Sequence, residues 1–308
     1  MMPLTDHRQA APRPLFAATH AATRAAAGMA ALAIVATLAG CTGSVGVGGS
    51  ASGGLLQNVS IISSQYVVLD LTTGAIEARQ DVPDLTDSGS DYRTTKMVFR
   101  AIAAGQGTIG AAPGNFASAN DPAPQTVVVA KYYIGVFDVT QAQWQLMTAT
   151  TPWTQVNPLT VVKDGINPEA PAYNLSADAV NAGLATANAH LGVALALPTD
   201  IQWEYAARAG STGTFSWPGG HSDQTAANYA EVAETAAGHV GPVAVGSFAP
   251  NAFGLYDTAG NVWELTSGGG MRGGSWSDPL TAARPANKVT ISHGTAYALA
   301  GMRLVLSP

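Results

Sequence analysis

The chain has 308 residues, 47% of them hydrophobic and 11% charged, with Lys+Arg 14 against Asp+Glu 20 and a formal net charge of −6. Such a composition excludes a disordered, solvating chain, and without a basic face it excludes nucleic acid as a partner. The length holds one domain of moderate size plus accessory segments, and the acidic balance reads as plain solubility or cation binding.

Arg8, Arg13 and Arg24 precede an apolar run over residues 28–40 that ends in small residues. A basic stretch, an apolar stretch and small residues before a cut describe a secretory signal peptide over 1–40. The run is shorter than the roughly 20 apolar residues that span a bilayer. Residues 38–41, Leu-Ala-Gly-Cys, resemble the bacterial lipobox, in which the cysteine is lipidated and becomes the new N-terminus. This predicts an exported protein anchored to the membrane through Cys41, and Thr42 behind it implies the outer membrane. Cys41 is the single cysteine, so the exported part has no disulfide, no thiolate metal site and no cysteine nucleophile. Residues 41–54 are a Gly/Ser-rich tether.

Residues 55–92 read as a small β extension, or as strands added to the edge of the main domain, with β-formers at 66–71 stopped by Thr72, Thr73 and Gly74. The main domain, 93–308, opens with strands at 97–102, 126–130 and 132–137; a Gly/Pro/Asn-rich loop is expected at 105–125. Thr140 with Gln143 three residues on forms a capping box that starts a helix, and Val139 can staple onto Trp144. A Thr/Pro-rich loop follows at 148–172. Ser176 caps a second helix, with Asp178 near its positive end, a buried stripe of Val180, Leu184, Ala187 and Leu191, and Gly192 as its stop. Thr199 and Gln202 cap a third helix, in which Glu204 and Arg208 make an i,i+4 pair worth a few tenths of a kcal/mol, with Gly210 as C-cap. Beyond 211 no helix is expected, only turns and short strands such as 243–248 and 302–306.

Four segments carry the recognisable pattern. Residues 197–210 read Leu-Pro-Thr-Asp-Ile-Gln-Trp-Glu-Tyr-Ala-Ala-Arg-Ala-Gly, and 251–264 read Asn-Ala-Phe-Gly-Leu-Tyr-Asp-Thr-Ala-Gly-Asn-Val-Trp-Glu. Arg-Gly-Gly-Ser-Trp follows at 272–276 and Gly-Met-Arg-Leu-Val at 301–305. With Tyr132–Gly135 and the stretch 139–144, they resemble the sulfatase-modifying-factor family, which holds the formylglycine-generating enzymes. The resemblance covers about residues 95–308 and implies an α+β, irregular C-type-lectin-like fold with two to three helices, short strands and a loop-rich second half.

In that family the Gly-Gly-Ser-aromatic motif precedes two cysteines that bind copper and oxidise a substrate cysteine with oxygen. Aligned on 273–276, their positions here are Asp278 and Ala283. Cu(I) needs soft sulfur ligands, so copper and formylglycine generation are not expected. A related branch binds iron through histidines; His190, His221, His239 and His293 lack the spacing of that set, which leaves iron open. The resemblance also implies Ca²⁺ ligands: Asn261, the Val262 carbonyl and Glu264, with Asn228 and the Tyr229 carbonyl. The alternative is that Asn261 and Glu264 satisfy buried backbone groups without metal. Trp203, Tyr205, Phe253, Tyr256, Trp263 and Trp276 are expected in the core. Arg272, Arg284 and Arg303 match recurrent family arginines, and Trp276, Ser277, Asp278 and Arg284 are the candidate lining of a binding cleft. Two functions follow. One is a non-catalytic binding or scaffold lipoprotein for a protein, glycan or small molecule, residues 277–300 being the patch a diversified binder would vary. The other is a periplasmic non-haem metal oxidoreductase that is not a sulfatase activator.

Overall fold

In the computed structural model the described residues are 63–307, apart from 88, 112–117, 119–120, 156–165, 218–222 and 237–239. The signal peptide, Cys41, the tether, His221 and His239 lie outside them. Strands β1 (Tyr66–Asp70), β2 (Ile76–Arg79) and β3 (Lys96–Ile102) form an antiparallel set with β1 in the middle. Strands β4 (Gly105–Ile109) and β5 (Gln125–Val129) make a separate two-stranded sheet. Strand β6 (Tyr132–Gly135) pairs with β3 and carries the chain into helix α1 (Gln141–Thr148). Helix α2 (Ala177–Leu191), strand β7 (Ala194–Ala196) and helix α3 (Asp200–Arg208) follow. The second half contributes β8 (Trp263–Thr266), β9 (Gly270–Arg272), β10 (Lys288–Thr290), β11 (Ala300–Gly301) and β12 (Val305–Ser307). The large sheet runs β2-β1-β3-β6-β12-β7, so the C-terminal strand lies between two strands from the middle of the chain. A second sheet runs β10-β9-β8-β11. Among the described residues no helix is long and apolar enough to cross a membrane.

The helices start where the caps predict. Thr140 and Thr199 each form a complete capping box, and Ser176 accepts the Ala179 N–H. The stripe Val180, Leu184, Ala187 and Leu191 is buried, and Gly192 ends α2 in the left-handed conformation. One core joins Val67, Phe99 and Tyr133 of the large sheet to Trp144, the α2 stripe, and Trp263 and Leu265 of the smaller sheet. Each large apolar side chain buried there contributes about 1.5–3 kcal/mol.

Four local expectations are corrected. Residues 105–109 are a strand, not loop: Gly105 and Gly107 make β4 read as a breaker, but a Cβ at Gly107 would sit 2.7 Å from the Tyr205 ring, so glycine lets that ring cross the strand. Residues 243–248 form no strand, because Gly246 turns with φ 74° and gives its N–H to Asp257. The closing strand begins at Val305, since residues 302–304 lie between β11 and β12. Helix α3 is capped by Ala209 (φ 47°) ahead of Gly210. The loop-rich half also has one helical turn at Asp223–Ala226 and a 3-10 turn at Leu280–Ala283.

Candidate functional site

The stretch 251–264 ties the domain together through side chains that replace a hydrogen-bond ladder. The Asn251 amide donates to the Ala206 and Ala207 carbonyls of α3, while its oxygen accepts the Phe253 and Leu255 N–H groups. Asp257 and Asn261 are non-glycine residues held at φ 56° and 61°. Gly260 (φ 78°) passes so close to Glu231 that a Cβ would overlap its carbonyl. Asn261 exchanges both amide bonds with the Val243 backbone.

Glu264 is fully buried and holds Arg303 with both oxygens, at 3.0 Å each. It also accepts Trp203 Nε1 at 2.6 Å. Arg303 in turn donates to the carbonyls of Gly135, Val136 and Tyr256. Asp138 Oδ1 lies 3.5 Å from Arg303. Burial, reinforced by Glu264, pushes the Asp138 carboxyl well above the usual range. Burial also pushes Asp257 up to about 6, against the Gly246 N–H and Arg303.

A second chain of ions runs beside it. Asp200 accepts Arg272 Nε at 3.0 Å and Lys288 Nζ at 2.7 Å, and Glu204 accepts Arg272 Nη1 at 3.1 Å and Arg208 Nε at 2.9 Å. Burial would raise the Asp200 carboxyl, but Lys288 and Arg272 outweigh it and hold it below its usual value. The Glu204–Arg208 pair is therefore not the exposed helix pair expected from its spacing. Glu204 is fully buried and also takes the Gly110 N–H, because β4 packs against α3.

The predicted cleft is only partly assembled. Asp278 turns inward: one carboxylate oxygen accepts Trp263 Nε1 at 2.7 Å and the Ser275 hydroxyl. Ala283 is buried against Phe215, Trp217, Val232, Ala259 and Leu280. Arg284 does not face Asp278; it is buried in a two-pronged pair with Asp121 and donates to the Thr281 carbonyl. Trp276 is half-buried and Ser277 exposed. Trp203 and Trp263 are core residues, whereas Tyr205, Phe253 and Tyr256 are half-buried. Asp121, Asp138 and Asp257 escaped sequence reasoning: the arginines beside Asp121 and Asp138 are more than a hundred residues away, and the Gly246 N–H that Asp257 accepts belongs to no recognisable spacing.

Two of the expected calcium side chains, Glu264 and Asn261, are already engaged. Both Glu264 oxygens face a guanidinium, where a cation would meet like charge, and the Asn261 amide is closed on Val243. Asn228 is exposed, and Tyr229 stacks on Trp217 with ring centroids 5.8 Å apart. Among the described residues no group of three His, Cys, Asp or Glu side chains is arranged to hold a metal ion. His293 is exposed and gives its carbonyl to the first turn of α2, whereas His190 lies in the last turn, so about 18 Å of helix separates them.

Comparisons with known proteins agree with this architecture. The formylglycine-generating enzyme of Mycobacterium tuberculosis is 44% identical over 78 residues, covering 23% of this chain and 26% of that enzyme. The enzyme of Streptomyces coelicolor is 40% identical over 79 residues, covering 23% and 25%. The matched stretch thus spans about a quarter of the length of these curated relatives. Among solved structures, Treponema denticola variable protein 1 is similar with a TM-score of 0.58 at 21% identity, over 70% of this chain and 96% of that one. PvdO from Pseudomonas aeruginosa is similar with a TM-score of 0.58 at 23% identity, over 68% and 94%. Likeness at such identities shows the shared fold. The family described as "Sulfatase-modifying factor enzyme 1-like domain" matches residues 86–308, leaving only β1 and β2 of the described strands ahead of it. With that match over most of its length, the chain belongs to the sulfatase-modifying factor enzyme 1-like family.

Proposed function

We propose that this chain is an exported, lipid-anchored binding or scaffold module that keeps the formylglycine-generating fold without its copper chemistry. One observation carries the reading. At the positions resembling the copper cysteines, the Asp278 carboxylate is spent on Trp263 and Ser275, and Ala283 is packed among apolar side chains. No soft ligand stands there, and one oxygen of the carboxylate is taken up by two donors. The binding face proposed is the lip around half-buried Trp276 and exposed Ser277; within 277–300, Pro279, Thr281, Thr290 and residues 292–296 are exposed as well. A protein, a glycan or a neutral small molecule suits such a surface, and diversification within 277–300 would vary it without touching the core.

The deciding experiment is elemental analysis of the purified protein, followed by titration with Cu(I) and Fe(II) and by assay on a cysteine-containing peptide under oxygen. The module reading expects no retained metal and no aldehyde product. Iron bound in a fixed ratio would instead establish the periplasmic metal oxidoreductase. Anchoring is tested separately: Cys41→Ala moves the protein from the membrane fraction to the soluble exported fraction.

A further inference from the structure

A concavity apart from Asp278 lies between the end of α1, the turn at 150–155, residues 174–176 and the outer face of α2. Its volume is about 460 Å³, the size of a small-molecule site. Helices α1 and α2 touch at Gly183, where a Cβ would sit 2.8 Å from the Trp144 ring, and that ring forms part of the wall. Ala179, Ala182 and Thr186 are exposed on the α2 side, where longer side chains would fill the space. The opposite wall is held by its own bonds: Trp144 Nε1 donates to the Thr150 hydroxyl and the Asn174 amide to the Pro152 carbonyl, each at 2.9 Å. The pocket is thus formed ahead of any ligand. No Asp, Glu, Lys, Arg or His is among the described residues that line it. Asp178 lies against Gly294 instead, where a Cβ would be 3.4 Å from its carboxylate. An ion entering such a pocket would give up hydration and meet no counter-charge, a cost that a neutral molecule escapes.

Two polar groups in the lining remain to be matched. Asn174 Oδ1 accepts no hydrogen bond among the described residues, since the Pro152 carbonyl holds the amide by its nitrogen. The Ser176 hydroxyl is buried, accepts the Ala179 N–H at 3.1 Å and keeps its own hydrogen to give. An acceptor and a donor two residues apart suit a group that gives an N–H and offers a carbonyl. We propose that this cleft binds an uncharged amide carrying an apolar ring, with the ring against Trp144, Pro152 and the α2 alanines and the amide shared between Asn174 and Ser176. Of residues 276–296, only Ala296 reaches the pocket, so the proposal does not rest on what the lip binds.

A ligand-observed NMR titration of the purified exported protein with two soluble probes tests it. N-acetylphenylalaninamide is neutral, whereas N-acetylphenylalanine has the same ring and nearly the same shape but carries a carboxylate. Wild-type protein is expected to bind the amide at least about tenfold more tightly than the acid. Ala182→Trp places a ring in the cleft from an exposed helix position, and should keep the thermal midpoint while weakening the amide at least about tenfold. Ala179→Phe fills the same space from one turn earlier and serves if the first variant does not fold. Absence of amide binding at millimolar concentration, equal affinity for amide and acid, or undiminished binding by either folded variant would each overturn the proposal. The comparison of the two probes on wild-type protein decides the question of charge without any variant.

Discussion

The two halves of the domain satisfy their backbones by different means. Between 132 and 209 the chain does so locally: capped helices answer their own N–H groups, and apolar stripes face one core. Between 241 and 307 regular strands are short, and side chains from distant positions take over. Arg303 reaches Gly135 and Val136, Arg272 reaches Pro285, and Asn251 reaches back to α3. A buried carbonyl needs a partner wherever it lies, and without a ladder the partner must be a long polar side chain. The loop-rich half therefore concentrates its stability in a few buried ions, and a single substitution there removes several ties at once.

The largest effect is expected at Arg303. Arg303→Met leaves Glu264 charged and takes a donor from three carbonyls, of which Val136 keeps the Tyr256 N–H, so a loss of about 3–5 kcal/mol or failure to fold is expected from urea denaturation. Adding Glu264→Leu removes the stranded charge but not the stranded carbonyls, and should recover little. The Arg284–Asp121 pair offers a contrast. Beyond each other, Arg284 donates only to the nearby Thr281 carbonyl and Asp121 accepts the nearby Ser118 N–H among the described residues. Arg284→Leu alone should cost about 3 kcal/mol, and pairing it with Asp121→Leu should restore much of that. Equal recovery in the two double variants would break the distinction between a tie to backbone and a tie between side chains.

pH sharpens the same contrast. Asp257 is raised from 3.8 to about 6. Its contribution is thus fully present below the unfolded value and is lost as pH rises through the folded one. Asp138, raised by burial as well, adds a loss of the same sign. Asp200 has the opposite sign: its depressed carboxyl stabilises above 3.8, and that part is lost as pH falls through the folded value. Stability measured by chemical denaturation should therefore peak near pH 4 and decline between about pH 4 and 6. Asp257→Asn should flatten that decline and leave the acid limb in place.

This asymmetry also explains what the sequence made legible. Thr140, Ser176 and Thr199 announce helices because a cap and its partner lie within three residues. Val180 to Leu191 announces a buried face because period and burial share one element. The motif segments identify the family by themselves, and with it the fold. The polar interior is different, since Asp121 meets Arg284 across 163 residues and no local rule joins them. Arg284 was expected at the cleft because it follows Ala283, yet its side chain points away into that pair. At Asp278 the alignment alone shows that a thiol is missing, but not that two donors have claimed the carboxylate. Asp278→Ala would strand the Trp263 indole N–H and the Ser275 hydroxyl. A loss of about 1–3 kcal/mol is expected by urea denaturation, with the lip still exposed.

The smallest effects should come from the helix caps, and there the two kinds of tie can be compared within one motif. Thr199→Ala removes a hydroxyl that accepts the Gln202 N–H and makes no other hydrogen bond among the described residues, so it should cost about 1 kcal/mol. Thr140 caps α1 in the same way, but it is fully buried and also donates to the Arg93 carbonyl at 2.7 Å. Thr140→Ala should therefore cost about twice as much, since a buried acceptor is stranded along with the cap. Thr140→Ser keeps the hydroxyl and should recover most of the difference. If Thr140→Ala and Thr199→Ala prove equal, the long-range bond from Thr140 to Arg93 contributes nothing beyond the cap.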